Sequence, residues 1–80
     1  MAKKEKRGAY DFRVEIVRSS VTRLWGAALY RGRRQVWSTG DGYVRRVGAV
    51  HAMDLVTHGC ELVQEVKYSE DKTVYYYVFK

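Results

Sequence analysis

The stretch Arg23-Leu-Trp-Gly-Ala-Ala-Leu-Tyr-Arg-Gly-Arg-Arg-Gln-Val-Trp-Ser38 decides the fold. In its first half Trp25, Ala27 and Leu29 alternate with Leu24, Ala28 and Tyr30, the period of a β-strand. Arg31-Gly32-Arg33 reads as a tight hairpin turn, with Gly32 supplying the positive φ that such turns need. Arg34–Ser38 then returns as a short third strand. Upstream, residues 10–18 alternate in the same way. Phe12, Val14 and Ile16 share one face with Tyr10, and Asp11, Arg13 and Glu15 share the other. Downstream, Thr39-Gly-Asp-Gly42 is a loop, and Tyr43 to Thr57 is the only credible helix. Its end is marked by His58-Gly59. Ala49, Ala52, Met53 and Val56 hold the i, i+3, i+4, i+7 spacing of a core face. Val47 and Val50 fall nearly opposite. A last hairpin follows. Cys60–Tyr68 places Leu62, Gln64, Val66 and Tyr68 on one face and Val63, Glu65 and Lys67 on the other. Ser69–Lys72 turns, and Thr73–Phe79 is dense in β-formers. The order β-β-β-α-β-β implies a two-layer α+β fold, an antiparallel sheet with one helix packed on one face.

Eighty residues, 46% hydrophobic and 30% charged with no proline, suit one small folded domain and leave little room for a deep catalytic pocket. Residues 1–8 form a charged tail expected to be disordered, and residues 9–80 the domain. A lone cysteine excludes an internal disulfide, and no apolar run is long enough for a membrane span. With no signal-peptide pattern, a soluble cytoplasmic protein is expected. The net charge of +6 is unevenly spread. Residues 1–46 carry twelve Lys and Arg against four Asp and Glu, and residues 47–80 carry three against five. A one-sided positive charge suits a polyanion, although charge alone more often marks a solvated, soluble surface.

The stretch Trp25-x-Ala-x-Leu-x-Arg-Gly32, the following Val36-Trp-Ser-x-Gly-Asp-Gly-Tyr43 and the helix with Ala49, Ala52, Met53 and Val56 resemble the YegP-like family of small bacterial domains of unknown function. The resemblance covers roughly residues 10–58, and Leu62–Phe79 looks like the opening hairpin of a second unit. It implies a dimer or pseudo-dimer, and it transfers no activity. Where the family usually has Ser or Thr to cap the helix, this chain has Val44, leaving Asp41 or Thr39 to cap it, or a frayed start. The architecture is also similar to the arm-binding domains of tyrosine integrases, which read DNA with an open sheet face.

The residues point away from catalysis. His51, His58 and Cys60 are too few for a zinc site, so no metal and no cofactor are expected. Cys60 suits a small buried hydrophobe better than a nucleophile. Gly40-Asp41-Gly42 lacks the length and lysine of a phosphate loop. No small-molecule substrate is expected. A non-enzymatic binding module for nucleic acid, with DNA foremost, is the first reading. Arg31, Arg33 and Arg34 at the hairpin, Arg45 and Arg46 at the helix start, and Lys3, Lys4, Lys6 and Arg7 in the tail would hold phosphates. Trp37 or Tyr76 would stack on bases. The second reading is a protein-interaction module or homodimeric regulator, such as a phage protein that binds a host factor. Val47, Val50 and an edge strand bearing Tyr75, Tyr76, Tyr77 and Phe79 would then form the interface. The same tyrosines also suit ordinary cross-strand packing.

Overall fold

The computed structural model describes residues 10–80. The expected tail, with Lys3, Lys4, Lys6 and Arg7, lies outside the described residues. Five strands and one helix follow in order: β1 (Phe12–Arg18), β2 (Trp25–Arg31), β3 (Arg34–Ser38), α1 (Arg46–Val56), β4 (Cys60–Ser69) and β5 (Lys72–Phe79). All pairings are antiparallel, and the strands lie in the order β3-β2-β1-β5-β4. Helix α1 packs on one face, across β1 and β2. The α+β two-layer architecture expected from the sequence is the one observed.

The alternation in β1 explains its central place. Phe12, Val14 and Ile16 are buried under the helix, where they meet Ala27, Trp25, Ala49, Met53, Tyr75 and Tyr77. The register sets Val14 opposite both Leu29 and Tyr75, and Ile16 opposite Ala27 and Thr73. Small Ala49 and Ala52 let the helix approach the sheet, and Met53 fills the gap beside Tyr77. Tyr77 donates its hydroxyl hydrogen to Met53 Sδ at 3.6 Å. Burial raises the pKa of this phenol above the usual tyrosine value, and the nearby Asp54 carboxylate adds to the rise.

Several expectations change. The helix starts at Arg46, not Tyr43. Tyr43 instead pairs backbone to backbone with Trp25, so the chain past β3 rejoins β2 for one residue before turning into the helix. The intervening Gly40–Gly42 arches over Gly26. A Cβ on Gly26 would overlap the Gly40 carbonyl, whose carbon would lie 3.0 Å away. Neither Asp41 nor Thr39 caps the helix. The N-cap position is Arg45, with no side-chain cap, and Thr39 Oγ1 instead accepts the Ala27 N–H at 2.9 Å. At the other end the helix stops as expected, with Thr57 as C-cap and Gly59 at φ 88°.

The C-terminal hairpin differs most. The edge strand is β4. Strand β5 lies inside the sheet between β1 and β4, and Tyr75, Tyr76 and Tyr77 are all buried. They are not an exposed interface; of that group only Phe79 is exposed, at its end. A bulge at Val63 also shifts the pattern of β4. Leu62 pairs with Tyr77 on the helix side, along with Glu65 and Lys67. Gln64 and Val66 pair with Tyr76 and Val74 on the opposite side. Val50 is half-buried against the core rather than exposed, whereas Val47 stays exposed as expected. Cys60 is half-buried and packs against the core. Tyr10 precedes β1 and does not share its core face. Its ring lies 4.6 Å from that of Tyr76, on the side of the sheet away from the helix.

Candidate nucleic-acid interface

Two adjoining features form the candidate site: the tip of the β2–β3 hairpin and the sheet face opposite α1. At the tip Arg31 pairs with Arg34, leaving Gly32 and Arg33 as a two-residue loop. Gly32 has φ 65°, as the first loop position of a type II′ turn requires. The tip is tied down by Arg13 of β1, which donates to the Gly32 carbonyl at 2.7 Å while its guanidinium lies 4.5 Å from the Tyr30 ring. Arg13 also bonds Glu15 at 3.3 Å. It therefore positions the turn and is already engaged. Arg33 and Arg34 are exposed and have no acidic partner among the described residues. Arg31 reaches over the Phe79 ring, 5.6 Å from its centroid.

The helix start does not join this patch. Tyr43 pairs with the first residue of β2, so Arg45 and Arg46 sit at the opposite end of that strand from the hairpin tip. Six residues of extended chain separate the two ends by about 20 Å. Arg46 is also partly buried and donates to the Tyr75 hydroxyl. The arginine placed against the helix dipole thus has a structural partner, and only Arg45 of the two is exposed.

On the open face, Tyr10, Arg13, Arg33, Tyr68, Lys72 and Tyr76 line a cleft of about 480 Å³ together with Glu15, Gly32, Val74. Glu15 is the one acid in it, and Arg13 and Lys72 both approach that carboxylate, Lys72 Nζ at 3.9 Å. Lys72 also lies 5.5 Å from the centre of the Tyr68 ring. The two aromatic residues expected to stack are not presented here. Tyr76 is buried next to Tyr10, and Trp37 is half-buried on the helix side opposite Leu29. The exposed aromatic ring on this face is Tyr68, 56% exposed. Sequence reasoning missed it because its exposure follows from β4 being the edge strand. A neighbouring hollow of about 170 Å³ beneath the Gly40–Asp41 arch is lined by Glu15 and Asp41 and is unsuited to an anion.

His51 and His58 are exposed on and just after α1, and no cluster of three metal-ligating side chains occurs among the described residues. No helix among them is long and apolar enough to cross a membrane. Comparison with family models, curated proteins and solved structures finds no match.

Proposed function

We propose that this chain is a non-enzymatic nucleic-acid-binding module that grips phosphates with the tip of its β2–β3 hairpin. The observation that carries the reading is the grouping of Arg31, Arg33 and Arg34 at one hairpin tip, Arg33 in the two-residue loop and Arg31 and Arg34 in the strand pair that closes it, with Arg33 and Arg34 exposed and lacking acidic partners among the described residues. Three like charges on one turn repel one another, and an anion relieves that repulsion. Arg13 holds the turn in place, which reduces the ordering cost of binding. Arg45 and Arg46 drop out of the contact set, because they lie at the far end of β2.

The test is fluorescence anisotropy with labelled DNA at about 50 and 200 mM salt. Three phosphate contacts to duplex predict a loss of about 40-fold in affinity across that range, from a slope of about −0.9 per contact. Arg33→Ala with Arg34→Ala flattens the slope by about two contacts. Absence of binding at the lower salt, or an unchanged double variant, refutes the reading.

One observation favours a second reading, a protein-interaction module or homodimer. Val47, Leu62 and Phe79 are 54%, 47% and 55% exposed on the helix side of the molecule, where α1 leaves β4 uncovered. Sedimentation velocity on the wild type and on Val47→Asp with Leu62→Asp tests it. Self-association that the double variant abolishes supports it, and a wild type that stays monomeric at high concentration removes the homodimer.

A further inference from the structure

We infer that the open sheet face selects single-stranded nucleic acid, stacking a base on Tyr68 while Arg33 and Lys72 hold the flanking phosphates. This rests on the proposed function and names its ligand class. Three features of the cleft point to it. First, Tyr68 is a large ring left more than half exposed at the bulge that ends the β4 ladder, and it has no packing role in the core. Second, cations flank aromatic surface on this face: Lys72 lies 5.5 Å from the Tyr68 ring centre, and Arg13 lies 4.5 Å from that of Tyr30. A stacked nucleotide carries its phosphate beside its base, so a ring with a neighbouring ammonium matches both parts. Third, Arg33 lines the same cleft as Tyr68, so the hairpin tip and the ring address one ligand.

Charge complementarity favours this occupant. The single acid of the cleft, Glu15, is shared between Arg13 and Lys72, so the cations outnumber it three to one. In a duplex the bases are stacked on one another and hidden from a ring on a flat sheet. A single strand leaves them free to splay onto it. A duplex can use only the arginines of the tip.

The experiment compares three labelled probes at about 50 mM salt: an oligothymidylate of about 12 nucleotides, an abasic strand of equal length, and a duplex. The abasic strand keeps the phosphates and lacks the rings. The expected result is that oligothymidylate binds about 5- to 150-fold more tightly than the abasic strand, the factor for one stacked base. Tyr68→Ala should remove that factor and leave the abasic strand unaffected, whereas Tyr68→Phe should keep it. If the abasic strand binds as well as oligothymidylate, or Tyr68→Ala binds both unchanged, the stacking site is refuted. The hairpin reading then still stands, provided Arg33→Ala with Arg34→Ala weakens all probes. If no probe binds, both readings fall. Circular dichroism of each variant confirms the fold, and Tyr68 is exposed enough for both replacements to leave it intact.

Discussion

Replacing Gly26 by alanine should cost more than almost any other one-atom addition to this protein. Gly26 sits in β2 with the Gly40 carbonyl against it, and a new Cβ would overlap that oxygen. Neither side can yield easily. The arch is pinned on one flank by the two bonds between Trp25 and Tyr43, at 2.6 and 3.0 Å. On the other it is pinned by Thr39 N–H to the Ala27 carbonyl and by Ala27 N–H to Thr39 Oγ1, both at 2.9 Å. Relieving the overlap needs a backbone shift of about 1 Å, enough to break two of these four bonds. At about 1 kcal/mol each, with the strain that remains, the loss is about 2–3 kcal/mol. For a domain of this size the melting temperature should drop by about 10–20 °C. Thermal denaturation followed by circular dichroism reads this directly. A Gly26→Ala protein that melts within about 2 °C of wild type would refute the account, since at about 4–8 °C per kcal/mol the arch would have moved at almost no cost.

Other outcomes follow from the same geometry. Ile16→Val removes one methylene from a fully buried site and should lower stability by about 1 kcal/mol in urea denaturation; an unchanged midpoint would mean the core repacks around the loss. Asp11→Ala deletes the carboxylate that accepts the Phe79 N–H at 2.7 Å, so amide exchange at Phe79 should accelerate while Tyr75 stays protected; equal rates at Phe79 would show the bond to be idle. Tyr77 has a raised pKa, so the folded state holds its proton more tightly than the unfolded chain does. Its contribution is complete below about pH 10 and is lost as pH rises through the folded-state value. The urea midpoint of wild type should therefore fall more between about pH 9 and pH 11 than that of Tyr77→Phe, and parallel slopes would count against the buried phenol.

The sequence made the alternating strands and the hairpin turn readable, because both are local. Phe12, Val14 and Ile16 repeat at the period of the pleat, and Gly32 sits where a two-residue turn needs it. The helix start was misplaced because Tyr43 is held by a partner eighteen positions earlier, Trp25, and no pattern within the helix segment reports that. Strand order is equally non-local. Yet the run Thr73-Val-Tyr-Tyr-Tyr, buried at every position, carried a signal of an interior strand: it does not alternate with polar residues. Read that way, β4 becomes the edge and Tyr68 the exposed ring. The bulges at Val36, Val63 and Tyr68 leave no local mark, since an extra strand-forming residue within a strand looks like more strand. The hairpin arginines were visible and stayed exposed. The grouping of Arg45 and Arg46 with them failed, because residues close in charge pattern lie at opposite ends of one strand.

The place of β5 between β1 and β4 bears on how the chain is made. Strand β1 is the first of the five to leave the ribosome, and its central neighbour β5 is the last. Until residues 72–79 arrive, β1 has a bare edge and β4 has no partner at all. The three-stranded β1–β2–β3 meander and α1 can assemble early, but Tyr75 and Tyr77 are still missing from the hydrophobic layer they complete. Closure of the sheet therefore requires the last strand made, and it joins the two ends of the described chain. A nascent chain stalled before Thr73 would present the unpaired flank of β1 to any strand nearby, which makes premature termination in this region a route to aggregation rather than to a smaller stable domain.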